Sequence, residues 1–277
     1  MREEYKGVEV IRPTAGGVRP RYHSVVLDFD GTISLIREGW QQIMIPYFTE
    51  LLVDTPLGRD MERGALAEQA REFIFFHTGK QTIYQCIAVA EEITKLGGSA
   101  EDPQAYKDEY HRRLLERIDS RLRGLENGTI DPETMTVPGS FALLDMLSGR
   151  GLTLYLASGT DEEYVLKEAE LLGVTRYFEG RIHGARRDYK TFSKRMVIER
   201  LLRENGLSGE ELLGFGDGYV EIENVKSVGG TAIGVASDEA NRCGIDEWKR
   251  ERLIRAGADA IIPDYTDLPA LSAYLFG

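Results

Sequence analysis

The chain has 277 residues and a net charge of −12, with 42% hydrophobic and 29% charged residues. This composition is that of a globular protein rather than a disordered or fibrous one, and its negative charge disfavours nucleic-acid or anionic-membrane partners, which bind basic surfaces. No apolar run approaches the roughly 20 residues that span a bilayer. Cys86 and Cys243 lack CxxC spacing, which indicates neither a disulfide framework nor a zinc site. We therefore expect a cytoplasmic protein that acts on a small molecule.

Continuous apolar runs predict five strands, at residues 25–27, 152–157, 211–215, 231–236 and 258–262. Runs that do not alternate with polar residues are typical of a parallel sheet covered on both faces. Helical patterns that close on a glycine separate the later strands, at residues 161–173, 193–206 and 220–230. This alternation predicts an α/β fold, a Rossmann-like, doubly wound parallel sheet.

The stretch from residue 36 to residue 136 has a different pattern. Four segments in it repeat apolar residues at spacings of three and four, and the last opens with Asp102-Pro103, a typical helix start. Four such helices can bury a core of their own. We therefore predict a helical cap domain at 36–136, inserted into a core domain made of 1–35 and 137–277.

Polar residues follow three of the predicted strands. Asp28 and Asp30 end the first strand, Ser-Gly-Thr at 158–160 ends the second, and Asp217 ends the third. In an open parallel sheet, ligands bind at the carboxyl ends of the strands. We therefore expect these side chains to meet at one edge, with Asp28 and Asp30 on the same side of the extended chain.

Three converging carboxylates would repel one another and raise their own pKa values unless a cation neutralised them. Magnesium prefers a few carboxylates together with water and a substrate phosphate. The sequence therefore predicts a Mg²⁺ site at Asp28, Asp30 and Asp217. Glu221, one helical turn after Asp217, would hold a metal-bound water.

A phosphate beside that metal needs donors and a second cation. Ser158, with the amides of Gly159 and Thr160 at a predicted helix start, would donate to phosphate oxygens. A lysine would neutralise the negative charge on the side of the phosphate that faces away from the metal. Lys190 and Lys194 both suit this role.

Four segments together resemble the motifs of the haloacid dehalogenase-like hydrolase superfamily, in the order of that family. They are "DFDGT" (28–32), "ASGT" (157–160), a lysine before a helix, and "GFGDGYVEIE" (214–223). The resemblance covers residues 24 to about 265. The helical insert resembles the cap of the phosphoglycolate phosphatase, phosphoserine phosphatase and β-phosphoglucomutase types.

The resemblance implies a role for each residue. Asp28 would be the nucleophile that forms an aspartyl-phosphate, and Asp30 the general acid and then the general base. Ser158 would hold the phosphoryl group, and Lys194 is favoured over Lys190 because its interval to Asp217 matches the phosphoserine phosphatase pattern. Asp28, the backbone carbonyl of Asp30 and Asp217 would hold Mg²⁺.

The match has departures and open positions. Glu221 stands where the family more often has aspartate, and the proline pattern of the third motif is missing. The residues expected to bind substrate are Gly31, Thr32, Gly159, Thr160, Lys80 and Arg37. For Lys80 an ordinary interhelical loop, and for Arg37 a solvated side chain, are the alternatives.

The predicted function is that of a magnesium-dependent phosphatase that hydrolyses a small phosphorylated metabolite. A cap that closes over the substrate would exclude water during phosphoryl transfer. A phosphosugar mutase on the same scaffold, which returns the phosphoryl group to another hydroxyl, is the first alternative. A non-catalytic phosphate-binding protein is the second.

Overall fold

The computed structural model describes residues 7–12 and 21–277, and the chain forms two compact units. The first unit comprises the described residues up to Glu38 together with Arg121–Gly277, and the second comprises Gly39–Ser120. The predicted insert, 36–136, extends further at both ends than the second unit does. Its assignment as a cap stays a prediction.

The first unit contains a seven-stranded sheet. Its strands, in chain order, are β1 Glu9–Val10, β2 Ser24–Leu27, β3 Thr153–Asp161, β4 Ile182–Ala185, β5 Leu212–Gly216, β6 Thr231–Val235 and β7 Ala260–Ile262. They are arranged in the order β1-β7-β6-β5-β2-β3-β4. Every neighbouring pair is parallel except β1 with β7, so the prediction of an α/β fold with a parallel sheet is confirmed.

Eleven α-helices occur among the described residues. They are α1 Gln41–Val53, α2 Arg63–Phe76, α3 Ile83–Lys95, α4 Pro103–Glu126, α5 Ser140–Gly149, α6 Glu162–Leu171, α7 Thr175–Phe178, α8 Lys194–Asn205, α9 Tyr219–Ser227, α10 Glu247–Ala256 and α11 Leu268–Phe276. In chain order, α1 to α4 lie between β2 and β3, so the predicted helical insertion is confirmed. None of these helices is long and apolar enough to cross a membrane.

Strand β2 lies inside the sheet, between β5 and β3, and all four of its residues are buried. Leu27 is paired in register with Leu156 of β3 on one side and with Phe215 of β5 on the other. All three strands run in the same direction, so the residues that follow these positions emerge at the same edge. This edge is the place where ligands bind in open parallel sheets.

The second unit has an apolar core of its own. The rings of Phe48 in α1 and Phe73 in α2 stack with centroids 5.9 Å apart, and Ile74 in α2 and Val89 in α3 are fully buried. The predicted start of α4 is present, since the side chain of Asp102 accepts a hydrogen bond from the amide of Gln104 at 2.8 Å. The side chains from three helices therefore supply the hydrophobic burial that stabilises a small helical unit.

Strand β4 was not predicted, whereas β1 lies in "GVEVIRP" (7–13), whose sequence is strand-like. Strand β4 reads Ile-His-Gly-Ala, so it has no apolar run to identify it. Strand β1 has two residues and depends on pairing with β7, where Glu9 lies opposite Ile261. Of the N-terminal segment 1–23, to which the sequence assigned no role, residues 1–6 and 13–20 lie outside the described residues.

Candidate active site

The turn after β2 carries the first two predicted acids. The amide of Asp28 donates to the carbonyl of Phe215 in β5 at 3.0 Å, which continues the sheet pairing, and the intervening Phe29 is fully buried. Gly31 has φ +75°, and a Cβ there would lie 2.3 Å from Oδ2 of Asp217. A residue with a side chain would therefore be strained and would push Asp217 away from the turn.

Lys194 lies directly against Asp28. Its Nζ donates to Oδ1 of Asp28 at 2.8 Å, and both side chains are almost fully buried. Lys194 is the first residue of α8, and the preceding Ser193 caps that helix by accepting from the amide of Met196 at 3.1 Å. The cap fixes where the helix begins and thereby presents the lysine to the sheet edge.

The alternative lysine lies elsewhere. Lys190 belongs to a short 3₁₀ turn, Tyr189–Thr191, and its ammonium lies 5.9 Å from the centroid of the Tyr189 ring. Of the two lysines that the sequence left open, the structure brings Lys194 to Asp28.

Glu221 in the first turn of α9 contacts the same lysine. Its Oε1 accepts a hydrogen bond from Nζ of Lys194, while its Oε2 is buried without a hydrogen-bond partner among the described residues. Gly216 makes room for this side chain, since a Cβ there would lie 2.5 Å from the Cβ of Glu221. Lys194 is therefore held between two carboxylates, one on each of two neighbouring segments.

The second acid of the turn, Asp30, is held by hydroxyls of β3. Thr160 Oγ1 donates to Oδ2 of Asp30 at 2.8 Å, and Ser158 Oγ lies 3.4 Å from the same oxygen. The other oxygen, Oδ1, is buried without a hydrogen-bond partner among the described residues, although Nε of Arg37 lies 3.9 Å away. Oδ2 of Asp30 is therefore held by a hydrogen bond, whereas Oδ1 accepts none from the described residues.

One local prediction was wrong. Ser158, Gly159 and Thr160 were placed at a helix start, but β3 continues through them to Asp161 and α6 begins only at Glu162. The amide of Thr160 donates to Ser158 Oγ at 3.0 Å, and the pairing with β4 shifts register between Ala157 and Asp161. Residues 158–160 therefore belong to the end of β3, and α6 begins directly after this strand.

Arg37 is engaged by a buried acid that the sequence reading did not identify. Arg37 makes a bidentate ion pair with Glu168 of α6, with Nη2 2.7 Å from Oε1 and Nε 3.1 Å from Oε2. Both side chains are buried, and the guanidinium lies 5.4 Å from the centroid of the Tyr164 ring. The alternative of a solvated Arg37 is therefore wrong.

Asp217 follows β5 and contacts two other segments. Thr32 Oγ1 lies 3.5 Å from its Oδ1, and Nζ of Lys249 in α10 donates to its Oδ2 at 2.9 Å. The same ammonium contacts Oε1 of Glu239 at 2.6 Å. Like Glu168, Lys249 and Glu239 were not predicted from the sequence, and no motif or spacing points to them.

Burial shifts the pKa values of the acids at this edge. Burial raises the pKa of Asp28 to about 6, while Lys194 lowers it and the charge of Asp217 adds to the rise. Burial also raises the pKa of Asp30, against the lowering effect of Arg37. Burial alone would lower the pKa of Lys249, but Asp217 and Glu239 outweigh it and raise that pKa. Clustered acids with raised pKa values are typical of functional sites.

The oxygen donors at this edge determine whether Mg²⁺ can bind there. Among the described residues, no three His, Cys, Asp or Glu side chains form a cluster that could hold a metal ion. The Mg²⁺ ligands that the family resemblance implies include only two side chains, those of Asp28 and Asp217. The third ligand is the backbone carbonyl of Asp30. The missing Cβ of Gly31 lets Asp217 approach this turn closely, and hard oxygen ligands of this kind suit Mg²⁺. The residues therefore fit the ion.

The predicted substrate residue Lys80 belongs to the second unit. It lies in the turn between α2 and α3, with Nζ 3.3 Å from Nδ1 of His77 and 4.9 Å from the centroid of the Phe76 ring. Phe76 is 65% exposed. The turn therefore presents a cation beside aromatic rings on the surface of this unit.

Comparison with known families gives one match that covers most of the chain. The model of the haloacid dehalogenase-like hydrolase family matches residues 22–229. This range includes β2, the helical unit, and the segments that carry Asp28, Ser158, Lys194 and Asp217.

Comparison with individual proteins gives one curated relative and several solved structures. A 5'-nucleotidase of Pseudomonas aeruginosa is 27% identical over 216 residues, which cover 78% of this chain and 83% of the relative. A β-phosphoglucomutase of Clostridium difficile matches with a TM-score of 0.59 and 13% identity, covering 92% of this chain and 97% of that one. A predicted phosphoglycolate phosphatase of Haemophilus somnus matches with a TM-score of 0.58 and 14% identity, covering 91% and 98%. At these identities the two structures show a shared fold.

Proposed function

The chain belongs to the haloacid dehalogenase-like hydrolase family, and from this premise we propose that it is a magnesium-dependent phosphatase of small phosphorylated metabolites. The reaction would pass through a phosphoryl ester of Asp28. The observation that carries the proposal is the buried contact between Asp28 Oδ1 and Lys194 Nζ, 2.8 Å long, at the carboxyl end of strand β2. It places a nucleophile and a phosphate-neutralising cation side by side.

In the first step, a carboxylate oxygen of Asp28 attacks phosphorus as the bond from phosphorus to the leaving oxygen breaks. The leaving oxygen takes a proton from Asp30. In the second step, Asp30 removes a proton from water, whose oxygen attacks the phosphorus and releases Asp28 and inorganic phosphate. The raised pKa of Asp30 supports its protonated role in the first step, and its Oδ1, which accepts no hydrogen bond from the described residues, is available for the transfer.

The surrounding residues orient these groups. Lys194 would neutralise the phosphoryl oxygens, and Glu221, which accepts a hydrogen bond from Nζ of Lys194, would hold the lysine in place. We assign Glu221 this orienting role in preference to the predicted contact with a metal-bound water. Thr160 would fix the carboxyl group of Asp30 through their 2.8 Å hydrogen bond. Ser158, whose Oγ lies 3.4 Å from Oδ2 of Asp30, would donate a hydrogen bond to the phosphoryl group.

The backbone near the metal completes the binding site. Asp28, the carbonyl of Asp30 and Asp217 would hold Mg²⁺, which would neutralise charge on the phosphoryl group. The amide of Gly31 donates to the carbonyl of Ser34 at 2.9 Å and the amide of Thr32 donates to the carbonyl of Phe29 at 3.3 Å, so we assign the phosphate contact to the amide of Gly159 rather than to these two. Arg37 is bound by Glu168, so we propose that it acts on Asp30 rather than on substrate.

A screen of phosphorylated metabolites tests the proposal. Purified protein is assayed for released phosphate with Mg²⁺ and with EDTA, beside Asp28→Asn as the matched inactive variant. Nucleoside 5'-monophosphates belong in the panel because of the similarity to a 5'-nucleotidase. Glucose 1-phosphate belongs there because an isomer formed without free phosphate would identify a mutase.

We expect Mg²⁺-dependent phosphate release with at least one compound and none from the Asp28→Asn variant. Release that persists in EDTA contradicts the metal requirement. Equal release by Asp28→Asn contradicts the nucleophile.

A further inference from the structure

A lysine outside the family motifs, Lys249, contacts the proposed metal ligand Asp217 and also a second acid, Glu239. Nζ of Lys249 lies 2.9 Å from Oδ2 of Asp217 and 2.6 Å from Oε1 of Glu239. The exposed fractions of the three side chains lie between 10% and 19%, so the group is largely withdrawn from bulk water. One ammonium is therefore shared by two carboxylates at the site where the divalent ion would bind.

The position of Lys249 is fixed by the fold. Asp246 caps α10 by accepting from the amide of Lys249 at 3.0 Å, and its own amide donates to the carbonyl of Ala236 at 2.9 Å. The buried hydroxyl of Ser237 donates to the carbonyl of Gly31 at 3.0 Å. These contacts connect the segment that carries Lys249 to the turn after β2, so the lysine is held beside Asp217.

The ammonium of Lys249 and a divalent ion would both be attracted to the negative charge of Asp217. An ammonium on Asp217 occupies one of its oxygens and repels a second cation placed a few ångströms away, in surroundings where interactions between charges are stronger than in water. Glu239 provides a second acceptor only 2.6 Å from Nζ. The ammonium can thus leave Asp217 without losing every carboxylate partner, which lowers the cost of displacing it.

We propose that Lys249 is the internal counter-cation of Asp217, that it competes with the divalent metal for this carboxylate, and that Glu239 holds the ammonium when the metal binds. Lys249 and Glu239 are positioning residues that set metal affinity. The inference rests on the proposed function, because it takes Asp217 as a metal ligand.

A merely structural lysine makes a different prediction. If Lys249 only held Asp217 in shape, its removal would weaken metal binding or leave it unchanged. If it competes, its removal frees a carboxylate and removes a repelling charge, so metal binding becomes tighter. The direction of the change therefore separates the two roles.

The experiment is a calorimetric titration of the metal-free protein with Mn²⁺, a hard divalent probe. For Lys249→Met we expect a Kd about tenfold lower than that of the wild type, which corresponds to about 1.4 kcal/mol. For Glu239→Gln we expect a higher Kd, because the ammonium then depends on Asp217 alone. Opposite changes from the two variants support the proposal.

A second lysine–aspartate pair supplies the matched control. Lys226 in α9 donates to Oδ2 of Asp259 at 2.8 Å, and both side chains are partly buried. Lys226→Met should therefore leave the Kd for Mn²⁺ unchanged. Should Lys249→Met fail to fold, the double variant Lys249→Met/Glu239→Gln removes both charges together and is expected to bind Mn²⁺ more tightly than the wild type.

The outcomes separate this inference from the proposed function. Suppose that the wild type binds Mn²⁺ and that Asp217→Asn loses this binding. If the folded variants that lack Lys249 then bind Mn²⁺ as tightly as the wild type or more weakly, the inference is overturned while the metal site stands. If the wild type binds no Mn²⁺, both are overturned.

Discussion

The ammonium of Lys194 and the carboxylate of Asp28 meet at 2.8 Å, although 166 positions of the chain separate them. Both side chains are almost fully buried, and the lysine also donates to Glu221. A buried ion pair contributes little net stability because its desolvation offsets the attraction. The pair is therefore better explained by the phosphoryl chemistry proposed for Asp28 than by folding.

Replacing Lys194 should impair catalysis much more than replacing Lys190. Lys194→Met removes the cation beside Asp28, and loss of one such electrostatic contact typically lowers kcat by about 10²–10³-fold. Lys190→Met is the matched control and should change kcat/KM by less than about threefold, since ordinary surface substitutions have small effects. Steady-state kinetics on a substrate from the screen measures both. An equal loss from the two variants would reject Lys194 as the phosphate-neutralising lysine.

Replacing Asp30 should separate the two chemical steps. With 4-nitrophenyl phosphate the leaving group needs no proton, so Asp30→Asn should still form the phosphoryl ester but hydrolyse it about 10²–10⁴-fold more slowly. Stopped-flow absorbance should then show a burst of nitrophenolate equal to the enzyme concentration. Absence of a burst with an undiminished steady rate would show that Asp30 is not the base.

The free energy of unfolding of the metal-free protein should depend on pH through the titration of Asp28. Burial raises its pKa from 3.8 to about 6, so between these values the folded protein holds a proton that the unfolded chain has released. The stability from this group is therefore fully present below pH 3.8 and is lost as the pH rises through about 6.

Urea unfolding of the wild type and Asp28→Asn in EDTA, from about pH 4 to pH 7, measures this effect. The free energy of unfolding of the wild type minus that of the variant should fall across the window. The subtraction removes the titration of the other acids. A difference that stays flat or rises would contradict the raised pKa.

Breaking the buried contact between Arg37 and Glu168 should destabilise the fold. Removing one partner leaves an unpaired buried charge, so Arg37→Met or Glu168→Gln should each lower the free energy of unfolding by about 3–5 kcal/mol. The double variant Arg37→Met/Glu168→Met should recover most of the loss. Chemical denaturation checks both, and two additive single losses would argue against a coupled pair.

The sequence predicted the part of the site that depends on local pattern. Asp28, Asp30 and Asp217 were identifiable because each follows an apolar run, and parallel strands carry such residues to one edge. Lys194 was favoured over Lys190 because its interval to Asp217 matches the pattern of the family that the sequence resembles. The strand order itself, with β2 between β5 and β3, fits the expected doubly wound sheet.

The rest depends on long-range contacts that leave no local pattern. Strand β4 has no apolar run, and β3 extends through 158–160, where its pairing with β4 shifts register. Lys249 reaches Asp217 from helix α10, and Glu239, in the segment before that helix, contacts the same ammonium. Their sequence reads as an ordinary charged surface, so tertiary packing alone brings them to the site.

Chemical trapping of the phosphorylated residue tests the central claim most directly. Protein turning over a substrate is quenched in acid, its acyl phosphate is reduced with borohydride, and the modified position is read by tandem mass spectrometry. The account predicts modification at Asp28 alone and none in Asp28→Asn. Modification at another residue, or none at Asp28 in protein that is turning over, would contradict it.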